Sequence, residues 1–326
     1  MNSTDTLQVR VKAITYEAEG ILSFELVPLP PRQTLPVFTA GAHIDLHLQN
    51  GLIRSYSLLN KPGEQHRYQI GVNKDAHSRG GSRYVHEALR AGSVLSISAP
   101  RNNFPLDDSA PHQVFIAGGI GVTPMLGMIE QCIAVGRTWT LFYSARTRES
   151  ASFLDKLLSF SEKSGGKLVL NFDQEPGGKL LDLDAIVKAL PTDASAEAHI
   201  YCCGPLPMLE AFEKATASLP PHRVHREYFA AKEAAAKDGG YTVELARSGR
   251  SVTVLAGHSI LDSLLAIGID PPYSCGEGIC GTCEVKVLAG TPDHRDLVLS
   301  SEEHAANDRM MICCSGAKSD KLVLDL

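Results

Sequence analysis

The sequence predicts three consecutive domains: an antiparallel β-barrel, a doubly wound α/β domain and a small β-grasp domain. Three changes of pattern along the chain predict this order. Short segments alternate apolar and polar residues as far as about Pro105, strands and helices then alternate up to Phe229, and a hairpin followed by a helix begins at Tyr241. A chain of 326 residues is longer than one ordinary hydrophobic core requires. We place the domains at residues 1–106, 107–229 and 240–326, joined by an Ala/Lys/Glu-rich linker at residues 230–239.

The composition argues against several classes of protein. A formal net charge of −6 argues against non-specific binding of nucleic acid. No apolar run is long enough to predict a membrane span, and the N-terminal residues lack the basic and apolar regions of a signal peptide. We therefore expect a cytoplasmic chain with no nucleic-acid or membrane partner, whose eight cysteines fit a reducing compartment. Its twelve histidines show no spacing typical of metal ligands.

The first domain is predicted from its alternating segments. Glycine, proline and asparagine clusters separate these segments, as in a small closed barrel of antiparallel strands. The segments with the clearest alternation are Leu7–Val11, Leu22–Leu26, His43–Leu48, Tyr68–Val72 and Ser93–Ile97.

One further segment of the barrel, Arg54-Ser55-Tyr56-Ser57, carries a cation, an aromatic ring and hydroxyl groups. Arg54 would pair with a phosphate, Tyr56 would lie against a flat ring or its ribityl chain, and Ser57 would hydrogen-bond to the edge of the ring. The same residues also suit a plain exposed strand with one arginine. Taken alone, they leave both interpretations open.

A second stretch favours the ligand-binding interpretation. A glycine-rich turn precedes a helical run from Arg83 to Leu89, with Ser82 as its predicted N-cap. The free N–H groups at a helix N-terminus bind anions, although an ordinary capped surface helix remains the alternative. The candidate residues here are Gly71, Asn73, Arg79, Gly80, Gly81 and Ser82.

The second domain begins with a buried parallel strand at Gln113–Ala117. Thr123 as N-cap and Pro124 at the first helical position predict a helix from Met125 to about Val135. Strands and helices then alternate, so ligands are expected beyond the carboxyl ends of the strands. The later elements are predicted at Trp139–Arg146, Phe153–Phe160, Leu168–Phe172, Asp182–Leu190 and His199–Cys203.

The loops of this domain give a moderate nucleotide-binding signal. Gly119 and Gly121 form a G-x-G pair, but Pro124 stands where a standard dinucleotide fingerprint has its third glycine. Arg146 follows the second strand in place of an acidic residue, and it would accept the 2′-phosphate of NADP or serve as a solvated charge.

A second loop of the domain is Cys203-Gly204-Pro205. Gly204 would let a nicotinamide ring approach the backbone, with Cys203 beside it. A tight turn with a buried cysteine is the alternative.

The strongest signal is a set of four cysteines near the C-terminus. Their spacing, C-x4-C-x2-C and a fourth cysteine after twenty-nine residues, matches the ligands of a plant-type [2Fe–2S] cluster. Intervening glycines allow backbone N–H groups to point at anionic sulfur. Zinc usually takes paired C-x2-C knuckles, and disulfides require an oxidising compartment, so both alternatives are weaker. The predicted ligands are Cys275, Cys280, Cys283 and Cys313.

The last domain otherwise reads as a small sheet packed on one helix. Tyr241–Leu245 and Ser251–Leu255 form a hairpin, and Ser259 with Asp262 caps the helix that follows. Two more strands are predicted at Glu284–Leu288 and Lys321–Leu324.

These motifs, in this order, resemble those of the phthalate dioxygenase reductase family, which includes the vanillate demethylase reductase subunits. The R-S-Y-S segment is similar to the flavin motif of ferredoxin-reductase-type barrels. The G-G-I-G-V-T-P and C-G-P segments are similar to the nicotinamide-domain signatures of that superfamily. The resemblance covers essentially the whole chain. It implies FMN rather than FAD, NADH and a [2Fe–2S] cluster as the cofactors.

The resemblance also implies roles for individual residues. Cys314 adjoins the fourth cysteine, and only the family pattern and the spacing favour Cys313 over it. The family makes Arg146 compatible with NADH. The residues implied for the flavin are Arg54, Ser55, Tyr56, Ser57 and the turn Arg79–Ser82. The residues implied for the dinucleotide are Gly119, Gly121, Thr123, Cys203, Gly204 and Pro205. Ser57, Cys203 and Phe229 would stand closest to the reacting rings, with Phe229 shielding the flavin.

The implied function is that of the reductase component of a two-component Rieske non-haem iron oxygenase for an aromatic acid such as phthalate or vanillate. Electrons would pass from NADH to FMN, to the [2Fe–2S] cluster and to the oxygenase. The same chain of carriers serving a demethylase or an amine monooxygenase, and a redox-sensing binding module, are the alternatives. Acidic residues near the cluster would form a docking face or remain solvated charges: Asp270, Glu277, Glu302 and Glu303.

Overall fold

The computed structural model describes residues 6–76, 78–190 and 197–326. The chain divides into two compact units, Asp5–Phe229 and Ala230–Leu326. The first unit contains both the barrel and the α/β domain that the sequence predicts. Among the described helices, none has the length and apolar character needed to span a membrane.

Six antiparallel strands form the barrel, in the order β4-β3-β6-β1-β2-β5. An antiparallel bridge between Leu58 and Ile70 joins the two edge strands, so the sheet closes on itself as predicted. Alternate side chains such as Val9, Phe24 and Ile44 fill its interior. The strands are β1 (Leu7–Ala18), β2 (Ile21–Pro28), β3 (His43–His47), β4 (Ile53–Ser57), β5 (Tyr68–Asn73) and β6 (Val94–Ile97).

One helix, α1 (Gly81–Ala88), follows β5. The prediction of Ser82 as its N-cap is wrong, because the helix begins earlier and Gly80 is the N-cap. Gly80 has a φ of 96°, a left-handed conformation that favours glycine. The Ser82 hydroxyl instead donates to Ser78 Oγ at 3.0 Å.

Five parallel strands form the sheet of the α/β domain, in the order β11-β10-β7-β8-β9. The order reverses beside β7, which places a topological switch point at its carboxyl end. The strands are β7 (His112–Gly118), β8 (Thr138–Ala145), β9 (Lys167–Phe172), β10 (Ala198–Cys203) and β11 (Val224–Glu227). The helices are α2 (Val122–Ala134), α3 (Leu154–Ser164), α4 (Leu183–Lys188) and α5 (Leu206–Thr216), with 3₁₀ turns at Gly119–Gly121 and Pro221–Arg223.

The start of α2 also differs from the prediction. The helix begins at Val122 with Gly121 as N-cap, so the prediction that Thr123 caps a helix starting at Met125 is wrong. Thr123 lies inside the first turn and is 2% exposed. Its hydroxyl donates to the Ile120 carbonyl oxygen at 2.9 Å. The 3₁₀ turn therefore runs directly into the helix.

The second unit is a five-stranded mixed sheet packed on a helix, with strand order β13-β12-β18-β14-β16. The predicted capping box is confirmed, because Ser259 and Asp262 each accept a hydrogen bond from the other's backbone N–H, at 3.0 Å and 2.9 Å. The strands are β12 (Tyr241–Leu245), β13 (Arg250–Val254), β14 (Glu284–Ala289), β15 (Pro292–Asp293), β16 (Arg309–Met311), β17 (Gly316–Ala317) and β18 (Lys321–Leu324), and the helices are α6 (Ile260–Ala266) and α7 (Ser301–Ala306).

The segment predicted to be a linker is attached to this second unit. The Ala236 N–H donates to the Cys314 carbonyl oxygen at 2.7 Å, and the Lys237 carbonyl accepts from the Gly257 N–H at 2.8 Å. Glu233 forms an ion pair with Arg295 at 2.9 Å. The segment that precedes β12 is thus held to the second unit by hydrogen bonds and an ion pair.

Candidate functional site

Arg54 lies across the first turn of α1. A Cβ atom built on Gly81 would come within 2.6 Å of Arg54 Nε, so a larger residue here would displace the Arg54 side chain. The first turn holds no acidic residue, and the N-cap makes no side-chain hydrogen bond. A guanidinium beside a helix N-terminus of this kind is suited to hold a phosphate group.

The side chains of β4 alternate between two environments. The Ser55 hydroxyl donates to Asp45 at 2.7 Å, and Arg101 forms an ion pair with the same carboxylate at 2.6 Å. Because side chains alternate along a strand, Arg54 and Tyr56 share the opposite face. Burial raises the pKa of Tyr56 to about 12, so its phenol stays protonated at neutral pH. Arg54 and Tyr56 are therefore on one face, whereas the Ser55 hydroxyl fastens β4 to β3.

Ser57 ends the same strand and is buried, with 4% of its surface exposed. It pairs with His43 across the sheet. Burial, together with the nearby Arg101 charge, lowers the pKa of His43 to about 4, which keeps that imidazole neutral.

Gly71 lies where the barrel meets the α/β domain within the first unit. A Cβ atom on Gly71 would be 2.9 Å from both Phe153 Cζ and Thr123 Cγ2. Phe153 has a φ of 60°, unusual for a residue other than glycine. The predicted cofactor residues Gly71 and Thr123 are thus brought together, with protein side chains packed on the glycine. Asn73 is exposed at the end of β5.

Glycines bring the two nucleotide loops into contact at the switch point. A Cβ atom on Gly121 would lie 2.2 Å from the Cys203 carbonyl oxygen, and one on Gly118 would lie 2.6 Å from Pro205 Cδ. A Cβ atom on Gly204 would similarly lie 2.7 Å from Met208 Sδ. Gly119 has a φ of 53° and open space around it. The loops after β7 and β10 thus form one backbone surface beyond the carboxyl ends of the strands.

The Cys203 thiol belongs to the core beneath this surface, since the residue is fully buried. Burial and the neighbouring Glu227 raise its pKa well above the ordinary value. Glu227 pairs with Cys203 in the parallel register. Burial raises the pKa of Glu227 to about 8, and its Oε2 atom has no hydrogen-bond partner among the described residues. Sequence reasoning missed Glu227, whose only signal is an acidic residue at the end of a strand.

Two further predicted residues lie at strand ends of the same sheet. Arg146 is exposed directly after β8. Phe229 is 40% exposed and lies two residues after β11. Both positions are at the carboxyl edge, where a doubly wound sheet binds its ligands.

The four predicted cluster ligands are all buried within the second unit. The Cys275 N–H donates to Cys280 Sγ at 3.5 Å, and the Glu277 N–H donates to Cys275 Sγ at 3.3 Å. The Ile312 N–H donates to the Cys283 carbonyl oxygen at 3.3 Å, which links the third cysteine to the segment of the fourth. Gly276, Gly278 and Gly281 all have positive φ angles, between 68° and 74°. Backbone N–H groups directed at sulfur are what an anionic iron–sulfur core requires.

Cys314 packs behind the cysteine loop. A Cβ atom on Gly278 would be 2.4 Å from Cys314 Sγ. The thiol approaches the Met311 carbonyl oxygen at 3.8 Å. The neighbouring Cys313 thiol and burial raise the pKa of Cys314 above the ordinary value. The Cys313 thiol therefore has two thiol neighbours, those of Cys275 and Cys314.

Comparison with known proteins agrees with this architecture. Residues 115–214 match the family described as oxidoreductase NAD-binding domain, and residues 243–318 match the 2Fe-2S iron-sulfur cluster binding domain. The chain is 53% identical over 320 residues to the phenoxybenzoate dioxygenase subunit beta of Ectopseudomonas oleovorans, covering 98% of this chain and 97% of that protein. It is 49% identical over 327 residues to the tetrachlorobenzoquinone reductase of Sphingobium chlorophenolicum, covering 100% of this chain and 99% of that protein.

A solved structure decides the family. It is phthalate dioxygenase reductase, described as a modular structure for electron transfer from pyridine nucleotides to [2Fe-2S]. The match has a TM-score of 0.74 at 36% identity and covers 99% of this chain and 98% of that one. The chain belongs to the phthalate dioxygenase reductase family. The predicted three-part fold is confirmed, and the chain is an oxidoreductase that combines an NAD-binding domain with a [2Fe–2S] domain.

In this family member, the matched ranges coincide with the sites built above. The NAD-binding match contains Gly119, Gly121 and Cys203, and the cluster-binding match contains all four predicted cysteine ligands. Relatives of the family are subunits of multicomponent oxygenase systems, so an oxygenase is the expected type of partner.

Proposed function

We propose that this reductase is the electron-transfer component of a two-component Rieske non-haem iron oxygenase that acts on an aromatic acid. The observation that carries the proposal is a combination of three features in one chain. Two glycine loops meet at the switch point of a parallel sheet, Arg54 lies beside the N-terminus of α1, and four cysteines in a plant-type spacing are buried. End-to-end similarity to a phenoxybenzoate dioxygenase subunit supports the class of substrate, since it extends over 98% of the chain.

We assign FMN to the barrel and NADH to the loops after β7 and β10. When bound, the flavin would supply the chemistry that links a two-electron hydride donor to single-electron transfer, and Cys275, Cys280, Cys283 and Cys313 would hold the [2Fe–2S] acceptor. The Arg54 guanidinium and the α1 N-terminus would neutralise the FMN phosphate, and Tyr56 would lie along the flavin. Gly121 and Gly204 let the loops after β7 and β10 pack closely together, and the backbone surface that they form would receive the nicotinamide. The side chains thus bind and orient, and none is required to exchange a proton.

We further propose that the barrel, the NAD-binding domain and the ferredoxin domain occupy residues 1–106, 107–229 and 240–326. Phe229 closes the NAD-binding domain and is assigned to cover the flavin ring. A cytoplasmic location is proposed as well, because all eight cysteines are free thiols in the structure.

An anaerobic NADH titration of the purified protein tests the proposed function. Iron, acid-labile sulfide and extracted flavin are measured on the same sample. We expect a [2Fe–2S] complement with one FMN, and visible absorbance that NADH bleaches. Reduced protein should then reduce a Rieske oxygenase for an aromatic acid. FAD in place of FMN, or no labile sulfide, would contradict the assignment of cofactors.

Replacing Arg54 with alanine should weaken flavin binding about 10- to 100-fold, because a charge-assisted hydrogen bond to phosphate contributes about 1.5–3 kcal/mol. Flavin retained after gel filtration, and its dissociation constant by fluorescence, measure the effect. Arg90→Ala is the matched control, since Arg90 is an exposed arginine at the other end of α1. Gly81→Ala should reproduce the Arg54→Ala result by displacing the guanidinium. Unchanged flavin affinity in both variants would remove Arg54 from the phosphate site.

Neutralising Glu302 and Glu303 should slow reduction of the oxygenase at low ionic strength. Both lie in the first turn of α7, and Glu303 also accepts from the Ser300 N–H at 2.8 Å. Glutamine can keep that capping contact, so the double variant removes charge with little loss of structure. The difference from wild type should shrink as salt rises.

The matched control for this docking face is Glu244→Gln. Glu244 lies on β12 and forms an ion pair with Lys321 of β18, so this variant removes an acidic charge elsewhere in the same unit. Stopped-flow reduction of the oxygenase at several salt concentrations provides the measurement. Equal rates for the double variant and wild type at all of them would exclude these two glutamates from the docking face.

A second candidate function is reduction of a small quinone, which the 49% identity to a tetrachlorobenzoquinone reductase favours. A small quinone does not need a protein docking face. We therefore compare NADH consumption with tetrachlorobenzoquinone and with a Rieske oxygenase as acceptors. Efficient turnover with the quinone and none with oxygenases would favour this second function.

A further inference from the structure

Two histidines and one aspartate form a cluster in the second unit that the electron-transfer function does not use. His294 and Asp296 follow β15, and His304 lies in α7. One nitrogen or oxygen atom of each residue lies within 4.8 Å of the other two. The side chains of His294, Asp296 and His304 are 8%, 0% and 31% exposed. The spacing of the histidines in the sequence gives no sign of this cluster, which forms only in the folded chain.

The two carboxylate oxygens of Asp296 have different partners. Oδ2 accepts hydrogen bonds from the N–H groups of Val298 and Leu299, at 3.2 Å and 2.9 Å, and so fixes the loop. Oδ1 lies 3.2 Å from His304 Nε2 and 3.8 Å from His294 Nδ1. One oxygen thus holds the backbone, and the other faces both imidazole rings.

The hydrogen bonds around Asn307 fix the tautomer of His294. Asn307 Nδ2 donates to the Ala305 carbonyl oxygen at 3.2 Å, so Asn307 Oδ1 is left as an acceptor. His294 Nε2 lies 3.3 Å from that Oδ1 and must carry the proton. A neutral imidazole has one N–H group, so Nδ1 carries a lone pair.

Nδ1 of His294 is buried and has no hydrogen-bond partner among the described residues. It faces Asp296 Oδ1, which is also an acceptor. A buried lone pair opposite a carboxylate oxygen is unfavourable unless a cation lies between them. The third donor, His304 Nε2, borders the same space.

We propose that His294, Asp296 and His304 bind a divalent first-row transition-metal ion of the Zn²⁺ type. Two imidazole nitrogens and one carboxylate oxygen suit such an ion, whereas Ca²⁺ and Mg²⁺ prefer oxygen ligands alone. Zinc–ligand bonds of about 2.0–2.1 Å place tetrahedral ligands about 3.3 Å apart. The oxygen-to-His304 separation of 3.2 Å fits this value, and the separation of 3.8 Å to His294 requires a small inward shift.

His304 supplies the adjustable ligand. Its ring stacks on that of His294, with centroids 4.4 Å apart, and it is the most exposed of the three. Turning this ring out of the stack directs Nε2 at the ion and leaves one position for water. Asn307 acts as the outer partner that fixes His294, as is usual for metal-binding imidazoles.

The proposed ion site adjoins the cysteine loop without sharing ligands with it. The Leu297 N–H donates to the Gly278 carbonyl oxygen at 2.9 Å. A Cβ atom on Gly278 would be only 3.1 Å from Asp296 Cα. Because Gly278 lies between Cys275 and Cys280, the bound ion should slow loss of the iron–sulfur cluster on warming.

The test uses the full-length protein with its cluster intact, treated with a mild chelator that leaves the visible absorbance unchanged. Zn²⁺ is then titrated by calorimetry while the absorbance is followed. We expect one saturable equivalent, bound without bleaching, and at least about tenfold weaker binding in His304→Ala. His258→Ala, which alters an exposed histidine of the same unit, should bind as wild type does.

Asn307→Gly provides an independent readout. Asn307 has a φ of 54°, which glycine tolerates, so this variant removes the Oδ1 acceptor without straining the backbone. Loss of an outer partner should weaken Zn²⁺ binding about 10- to 100-fold. The proposal is overturned if wild type binds no Zn²⁺, if His304→Ala binds it equally well, or if uptake occurs only with loss of the visible absorbance, which would indicate exchange at the cysteines.

Discussion

Cys280→Ser is expected to yield a protein that lacks its iron–sulfur cluster but in which NADH still reduces the flavin. Cys280 is 5% exposed, and its sulfur accepts the Cys275 N–H. Serine offers no thiolate at that position, and a cluster held by the remaining three ligands should be lost during purification. Iron and labile sulfide per chain should fall about tenfold or more. Reduction of the oxygenase should be lost, since no carrier then links the flavin to it.

The neighbouring pair Cys313 and Cys314 provides the matched control. Cys314→Ser should keep its iron and sulfide, because the Cys314 thiol packs against Gly278 behind the loop. Cys313→Ser should lose them, because Cys313 completes the plant-type spacing of the cluster ligands. Iron analysis and electron paramagnetic resonance of the reduced protein distinguish the two variants. The opposite pattern would make Cys314 the fourth ligand.

Gly121→Ala should have the second large effect, on the use of NADH. The new methyl group would lie 2.2 Å from the Cys203 carbonyl oxygen, a backbone atom that cannot move without displacing the end of β10. Overpacking of this kind costs about 1–3 kcal/mol of unfolding free energy. The substitution should also push the loops after β7 and β10 apart at the surface assigned to the nicotinamide. We therefore expect the KM for NADH to rise about tenfold or more.

Gly136→Ala separates lost stability from lost geometry. Gly136 follows α2 with a φ of 71° and has no atom near its missing Cβ. Alanine there costs about 1 kcal/mol through backbone strain alone and leaves the β10 loop in place. Thermal unfolding should show lower stability for both variants, whereas steady-state kinetics should show a raised KM for NADH only in Gly121→Ala. If both variants raise the KM equally, contact between the loops does not matter for NADH.

The parts of the molecule that the sequence predicts well are those whose determinants are close together in the chain. The first three cysteines of the cluster motif lie within nine residues, from Cys275 to Cys283, so their spacing alone defines the loop. The alternating strands of the barrel and the capping box at Ser259 are also local patterns. The structure confirms the barrel and the capping box, and it buries the three cysteines in one loop.

The errors at two helix starts have a common physical cause. Ser82 and Thr123 look like N-caps, but Gly80 and Gly121 occupy those positions. Propensity favours a hydroxyl at the N-cap. The left-handed backbone at Gly80 and the contact of Gly121 with the Cys203 backbone, both invisible in a single sequence, decide otherwise.

Other features depend on contacts between segments far apart in sequence. The hydrogen bond from Ser55 to Asp45 requires the register of β3 against β4. The buried Glu227 becomes distinctive only when it pairs with Cys203. His294 and His304 come together through a loop and a short helix rather than at a helical spacing. No periodicity in the sequence could have indicated these three arrangements.

The hydrogen bond from Ala236 to Cys314 has a consequence for the construction of chimeric reductases. A graft that replaces only residues 240–326 would leave the recipient's own connecting segment beside a foreign cysteine loop. A graft that begins at Ala230 transfers the ion pair between Glu233 and Arg295 and the Ala236 contact together with the loop that they support. The exchangeable module therefore starts at Ala230, eleven residues before the first paired residue of β12, and domain shuffling among such enzymes should preserve that boundary.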